Sequence, residues 1–595
     1  MAESPPASGS RRRRLLPWVA LAAVLVAAWL PLAVPEVIAG HSAMSDRIRS
    51  EAIHAAVAGG DLLPAWLPDL YDRHGTPLPS FYSPLSYGVV ELFRGLTGRP
   101  ELAYKLTYLF FWIVGAGGAA QAARLRFGAG AGIPAAAAFA LAPYTLVDAY
   151  VRCGIAEFGA LALLPWTLAA LASTGAAART GTALGVAALV LTHNITSLIA
   201  APVCALLALL GPRGARRRGL EGVALGLALS VFYWLPALVE KSWLWSESNL
   251  TKGFFDYQRH FVAALDLLPW RTSLQFTIGP SSGLPFRLGE LLLLSTVGAL
   301  AVAIWRRPRA CGHAVLLATA SLSALLLTSE LSEPLWRLLP LARFVQFPFR
   351  LFLFATVLAA PLVGWVVVQA PARWRPLFAA LVTALALLLA QPWLEVRYFF
   401  IDRTTGLPIP VLAGEIEQAR RDPRFHPAAQ WVTLDRVRSE HWSSSPGEAF
   451  LPRTVTQLPS GPTGEVPTVA AEALGKGVRV LASAWGYPEV RAEIAVEEAG
   501  EVALHQFWFP GWRATADGAR RDIRAEPGRG RILVAVRPGD RQLRARFGPT
   551  PLRRATAAIS VISALALVGL ALLGRLSRRR SGAERNDPDS LPSAS

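Results

Sequence analysis

Twelve apolar runs punctuate this chain, at 15–34, 101–122, 130–147, 155–174, 180–192, 195–211, 219–238, 286–305, 311–328, 350–371, 375–391 and 553–575. Most approach the roughly 20 residues that a helix needs to cross a bilayer. Only 17% of the residues are charged and 53% are hydrophobic, against about 25% charged in soluble domains. A purely soluble protein and a largely disordered one are excluded. Three cysteines, Cys153, Cys204 and Cys311, lie in or beside apolar runs, with neither disulfide-scaffold nor metal-ligand spacing.

The net charge is +18. A nucleic-acid partner is not implied, because the arginine clusters at 11–14, 213–218, 306–309 and 575–580 flank apolar runs. That is the pattern of cytoplasmic loops in a polytopic membrane protein. Tracing the runs alternately across a bilayer puts these clusters, with Arg124, Arg126, Arg179, Arg373 and Arg375, on one side. The expectation is an all-α bundle of about 12 transmembrane helices with both termini cytoplasmic. The basic N-terminus is 1–14, the bundle 15–391 with a first external loop at 35–100, and the last span 553–575. A disordered cytoplasmic tail should follow at 576–595, rich in Ser and Pro from Ser581. Residues 83–98 read as a juxtamembrane helix lying in the interface. The pair 180–192 and 195–211 is short enough to be broken.

Three long segments then fall outside: 35–100, 239–285 and 392–552. The last is expected to hold a β-rich, sandwich-like module. VRVLASA, EVRAEIAV, EVALHQFWF, RILVAVR and RQLRARF alternate in and out, with turn signals between the later ones.

The same trace collects polar residues at the outer face. They are His41, Asp46, Arg49 and Glu51 after the first run; Asp148, Tyr150, Arg152 and Glu157 where the third meets the fourth; His193 and Asn194 between two short helices; Glu240 after the seventh; and Arg343, Gln346 and Arg350 before the tenth. Ionisable groups beside spans are costly and often functional. Plainer readings stand beside this one: solvated loop charges for Arg49 and Glu51, a structural ion network for Asp148, Arg152 and Glu157, a helix-end group for His193, and headgroup contacts for Arg343 and Arg350. A shared cavity would join carboxylates able to take a proton from a hydroxyl to arginines able to hold a phosphate. Chemistry on a phosphate-linked lipid fits, and so does transport of one. The aromatic stretch 242–260 reads as an interfacial belt, with a lid over an acceptor cleft as the alternative. No Walker loop, HExxH helix or GxSxG elbow is present.

Several stretches carry a family resemblance: HSAMSDRIRSEAIHAAVAGGDLLPAWLPDLYDRHGTPLPSFYSPLSYG (41–88), DAYVRCGIAEF (148–158), LTHNITSL (191–198), LPALVEK (235–241), VQFPFR (345–350), EAFLP (448–452) and FWFPGWRATADG (507–518). In their order the chain resembles the GT-C superfamily of polytopic glycosyltransferases. It is most similar to bacterial membrane proteins called "6-pyruvoyl-tetrahydropterin synthase-related". The resemblance implies a GT-C fold in the bacterial cytoplasmic membrane and a polyprenyl-phosphate-linked sugar donor. The acceptor would be a glycan, lipid or protein. It implies a catalytic acid in the first external loop, which maps best to Asp46, and a second acid at Asp148. His41, Arg49, Tyr150, Arg152, Glu157, His193, Asn194, Glu240, Arg343, Gln346 and Arg350 would bind substrate. Relatives read roughly HDxxxHxxR in the first loop; here Ser42 replaces the usual Asp and Asp46 stands where a His is common. This departure keeps a non-catalytic transporter or scaffold as the alternative. No cofactor is demanded. A divalent metal is left open, since some members use one and others do not; Asp46, Asp148 and His193 are the candidate ligands. Trp66, Asp69, Asp72, His74, Tyr82 and Tyr87 either contact sugar or order an interface loop.

Overall fold

A computed structural model describes residues 8–174, 176–267, 286–306, 308–404, 408–427, 450–457 and 467–584. Each expected apolar run is mostly helical, two of them as bent pairs of helices. Four helices are long and apolar enough to cross a membrane alone: Pro100–Phe127, Pro348–Gln369, Arg375–Trp393 and Pro551–Leu573. Two bent pairs pass the same test together, Ala129–Ala140 with Pro143–Arg152 (43°) and Arg213–Leu229 with Val231–Trp243 (66°). The first bend is set by Pro143, which has no N–H to continue the ladder. At the second, Ser230 Oγ donates back to Gly226 O at 2.9 Å, a bond that bends helices. Six further apolar helices are shorter: Pro17–Leu32, Ile155–Leu171, Ala178–Thr192, Asn194–Leu210, Glu290–Trp305 and Gly312–Leu326. The dozen expected spans thus fall on four helices long enough to cross alone, two bent pairs long enough only together, and six apolar helices shorter than that, among the described residues.

The helix Leu85–Thr97 buries Ser86, Tyr87 and Val90 and exposes Leu92 and Leu96. Apolar side chains thus lie on two sides of it, as an element wedged between protein and lipid would have. The final helix runs Pro551–Glu584. It extends into the tail expected to be disordered, because the first helix-breaking proline there is Pro588. Residues 585–595 lie outside the described residues.

Residues 392–552 do not make one β-rich module. A three-stranded antiparallel sheet of β1 (Arg397–Asp402), β2 (Pro408–Leu412) and β3 (Phe425–Pro427), in order β2-β1-β3, comes first. Val396, Tyr398, Phe400 and Val411 pack into the core of the helical bundle. Ala39 N–H bonds Arg397 O and Phe399 N–H bonds Val37 O, both at 2.8 Å, so the exit of the first helix joins this sheet.

The expected sandwich follows. One sheet has β4 (Ala471–Leu474), β7 (Gly500–Phe507), β10 (Ile523–Ala525) and β11 (Arg531–Val536), in order β10-β11-β7-β4. The other has β5 (Val478–Trp485), β6 (Glu489–Val496), β8 (Trp512–Ala516), β9 (Ala519–Arg521) and β12 (Gln542–Phe547), in order β5-β6-β12-β8-β9. The β8–β9 hairpin turns on Asp517 and Gly518, both at positive φ, as a tight Asp-Gly turn requires.

The sandwich core is completed by the first loop. Ile48, Ala52, Trp66, Leu67, Leu70 and Leu78 belong to the same apolar cluster as Ile494, Leu504, Ile532 and Leu543. Trp66 lies edge-on to Trp512 (5.4 Å) and against Phe547 (5.0 Å). Its Nε1 donates to the fully buried Gln506 Oε1 at 2.5 Å, and Gln506 Nε2 donates to Arg73 O at 2.6 Å. To present that carbonyl, Tyr71, Asp72 and Arg73 all take positive φ, a conformation that is costly for residues with a Cβ.

Candidate functional site

The site begins where the first loop meets the third apolar run. His41 N–H bonds Val151 O (3.0 Å) and Ser42 N–H bonds Arg152 O (2.9 Å). The approach needs a glycine just before it, because a Cβ on Gly40 would overlap Cys153 Sγ and lie 2.8 Å from Val151 O. Helix Ala43–Ala58 then starts, with Asp46 in its first turn. Asp46 and Asp148 are thereby brought to the same end of the bundle.

Asp46 is 1% exposed. Its Oδ1 accepts from Tyr87 OH (2.8 Å) and Arg49 Nη1 (3.0 Å). Its Oδ2 faces Tyr104 OH and Ile155 N–H, both at 3.4 Å, and Ile155 opens the next helix. Burial raises the Asp46 pKa above the ordinary carboxylate value, opposed chiefly by Arg49 and the Tyr87 hydrogen bond. Arg49 lies over the Tyr82 ring at 4.2 Å. His41 is held neutral, its pKa lowered to about 3 by burial and by Arg152.

The DAYVR segment is one turn of π-helix, Asp148–Arg152, ended by Cys153 in the left-handed region. Such turns recur at functional sites. The buried Glu157 gathers three partners. Its Oε2 accepts from Arg152 Nη2 (2.6 Å) and Arg350 Nε (3.0 Å), and its Oε1 from Tyr144 OH (2.5 Å). Arg152 lies over Phe349 (5.0 Å) and Arg350 over Phe347 (4.7 Å). Asp148 is fully buried. Its nearest cation is Arg152, Nε to Oδ1 3.4 Å, and neither carboxylate oxygen has a hydrogen-bond donor among the described residues.

Tyr82 joins the two groups, since its hydroxyl feels Arg49, Asp46 and Arg350. Three carboxylates (Asp46, Asp148, Glu157) and three guanidiniums (Arg49, Arg152, Arg350) thus converge from three distant stretches of chain. Burying that many charges is tolerable only when they neutralise one another.

Other predicted residues lie elsewhere. Tyr150 turns to the first helix, its OH donating to Ala28 O and its ring against Trp112. Asn194 ties Phe81 O to Ser83 and Tyr233. Glu240 takes two bonds from Arg553, at 2.9 and 2.6 Å, and one from Thr550, joining two helices. Arg343 is exposed, over Phe344. His193 caps the helix that follows it, accepting from Thr196 N–H at 3.4 Å, close enough to Glu157 to interact with its charge. Asp46, Asp148 and His193 do not gather round one ion; among the described residues no three His, Cys, Asp or Glu side chains are placed to hold a metal.

Tyr104, Tyr144 and the Arg47–Glu101 pair, with two bonds of 2.7 Å, were not anticipated. Tyr144 had a usable signal, standing four residues before Asp148 on a helical stretch. Trp66, Asp69 and His74 resolve as docking residues. Trp66 is buried in the sandwich, Asp69 accepts from Tyr487, and Phe507 N–H bonds His74 O at 2.6 Å.

His74 also makes the docking sensitive to acid. Burial, then the neighbouring His505 and Arg531, lower its pKa from 6.5 to about 3. The folded form therefore binds fewer protons than the unfolded one, so the stability it contributes is present above pH 6.5 and lost as pH falls towards 3. Thermal unfolding followed from pH 7 to 4 should show this loss, and His74→Asn should flatten part of the slope. An unchanged slope in the variant would remove His74 as the cause.

A family model described as a 6-pyruvoyl-tetrahydropterin synthase related domain of membrane proteins matches residues 80–399. No curated protein matches. Among solved structures, the chain is similar to the arabinofuranosyltransferase AftD from Mycobacteria: 19% identity, 63% of this chain, 26% of that chain, TM-score 0.37. A mutant AftD aligns over 90% of this chain and 60% of that one, at 14% identity and TM-score 0.40. ArnT from Cupriavidus metallidurans, bound to undecaprenyl phosphate, aligns at 18% identity over 62% of this chain and 64% of that one, TM-score 0.37. The chain thus spans about a quarter of AftD in the first alignment and under two thirds of ArnT.

Proposed function

We propose that this protein, which belongs to the 6-pyruvoyl-tetrahydropterin synthase related family of membrane proteins, transfers a sugar from a polyprenyl-phosphate-linked donor to a cell-envelope acceptor. The site would face the outer side of the cytoplasmic membrane. The observation that carries this reading is Asp148, a buried carboxylate whose oxygens have no hydrogen-bond donor among the described residues, beside two arginines that share one glutamate. Buried polar atoms left unpaired are uncommon and call for an explanation. A hydroxyl entering beside Asp148 would supply the missing donor and a proton to remove.

The chemistry balances with these groups alone. The acceptor oxygen bonds to the anomeric carbon as the bond from that carbon to the phosphate oxygen breaks. The acceptor proton passes to Asp148, and the polyprenyl phosphate leaves with the bonding electrons. Arg152 and Arg350 stabilise its growing negative charge. Asp46, with its raised pKa, holds Arg49, Tyr87 and the start of the next helix in place around the reacting groups.

A second reading is favoured by Asp46 itself, whose oxygens already face four protein donors. A protein that only moves or scaffolds a lipid-linked glycan needs no free base there. Asp148→Asn keeps the shape and removes the base. Sugar transfer in membranes supplied with pentose- and hexose-linked polyprenyl phosphates should fall about a hundredfold or more, with Asp46→Asn weaker. Full transfer by both variants would end the transferase reading. Binding of the lipid without transfer by the wild type would favour the transporter.

A further inference from the structure

The sharpest backbone irregularity in the site is Gln346, at φ 66° and ψ −47°. Phe347 N–H bonds Val345 O at 2.7 Å across it. This is a γ-turn of the rare, strained hand, centred on a residue that carries a side chain. The fold keeps it in place through several contacts. Arg350 Nη1 donates to both Val345 O (2.8 Å) and Gln346 Oε1 (2.9 Å), so the turn points two acceptors at one guanidinium nitrogen. The other end of the same amide, Nε2, donates to Leu250 O at 3.1 Å.

Leu250 belongs to the aromatic stretch between Ser246 and His260. That stretch rests on the next residue of the turn. Phe347 has the His260 ring at 4.6 Å, Phe254 at 5.9 Å and Phe255 at 6.0 Å. Phe347 in turn lies against Arg152 and Arg350. The order of contact is loop, then Phe347, then the arginine pair, and the Gln346 amide makes a polar connection from the loop to Arg350.

We infer that Gln346 is a positioning residue: a strained latch that fastens the 246–260 loop over the arginine pair and sets Arg350 by the same amide. The inference rests on the proposed role of Arg152 and Arg350 in holding a phosphate. When the loop lifts, the bond to Leu250 O is lost and the strained turn is free to relax. Relaxation withdraws Val345 O and Gln346 Oε1 from Arg350 Nη1 and frees the guanidinium to turn; the re-formed turn fixes it again by Nη1, and Nη2 is the group that meets the phosphate. Closure over the bound phosphate re-forms the turn. A carboxamide can accept from an arginine at its oxygen and donate to a carbonyl from its nitrogen at once.

Three substitutions in the full-length protein separate these roles. Gln346→Glu keeps the acceptor for Arg350 and loses the donor to Leu250. Gln346→Ala loses both. Gln346→Gly loses both and relieves the strain, because glycine adopts positive φ freely. Amide hydrogen exchange at 249–255 should quicken in all three. Undecaprenyl phosphate, followed by tryptophan fluorescence in nanodiscs, should dissociate about tenfold faster, since weakened closure acts on the off-rate. Gln346→Gly should melt no lower than the wild type. Unchanged exchange and dissociation in Gln346→Glu and Gln346→Ala would overturn the latch. So would a lower melting temperature in Gln346→Gly with faster exchange along the whole chain, the mark of a merely structural residue. If the wild type fails to bind undecaprenyl phosphate, the proposed function falls, while the exchange data still decide the latch.

Discussion

Replacing Glu157 with alanine is expected to destabilise the protein by about 3–5 kcal/mol, the range for removing one partner of a buried ion pair. Glu157 is 2% exposed and holds Arg152, Arg350 and Tyr144 together. Without it, two guanidiniums are left beside Asp148, a carboxylate that has no hydrogen bond among the described residues. A domain is stable by only ~5–15 kcal/mol, so the loss is a large share of the total. Glu157→Gln should fall between, since its amide oxygen can still accept one bond. Replacing the four charged residues together, Glu157→Leu and Asp148→Asn with Arg152→Met and Arg350→Met, should recover much of the stability, because neutral substitutes remove the desolvation penalty as well as the attraction and leave no buried charge without a partner. Phosphate-lipid binding would not recover with it. Thermal unfolding of the purified chain in nanodiscs decides the matter. A Glu157→Ala protein within about 1 kcal/mol of the wild type would mean that the charges are solvated rather than buried together.

The parts of the molecule that could be read in advance are those with a local cause. The apolar runs became helices because their composition permits little else, and the alternation in EVRAEIAV became β6 residue for residue. The first sheet was missed for a local reason too. Its strands are short, and Pro408, Pro410 and Pro427 remove the N–H groups that usually announce a strand. The site divides similarly. Asp148, Arg152 and Glu157 stand out because three ionisable groups crowd one apolar region. Arg350 as a second partner of Glu157, 193 residues away, leaves no local trace. Neither does the π-helical turn, which no residue type specifies. Tyr150 was misplaced because a five-residue turn containing a π-helix directs its middle residue away from the face shared by its ends.

Least legible of all was the docking of the first loop into the sandwich, across the 440 residues from Trp66 to Gln506, and the other large effect is expected there. Gly75 has φ 74°, and a Cβ on it would overlap Trp66 Nε1 and lie 2.5 Å from Gln506 Oε1. Gly75→Ala therefore meets two costs at once. Left-handed backbone with a Cβ costs about 1–2 kcal/mol, and overpacking a filled core costs about 1–3 kcal/mol more. Neither neighbour can retreat easily, because Trp66 is packed between Trp512 and Phe547 and Gln506 is fully buried with its amide engaged. The damage should reach the site by one route. Helix Ala43–Ala58 places Ile48 and Ala52 in the sandwich core while presenting Asp46 to Tyr87 and Ile155. Loosening the sandwich should therefore disturb Asp46 and leave Glu157 with its arginines in place. Undecaprenyl phosphate binding would then largely survive while sugar transfer falls, and proteases would cut the first loop sooner. A Gly75→Ala protein that melts with the wild type and transfers sugar equally well would show that the sandwich does not support the Asp46 side of the site.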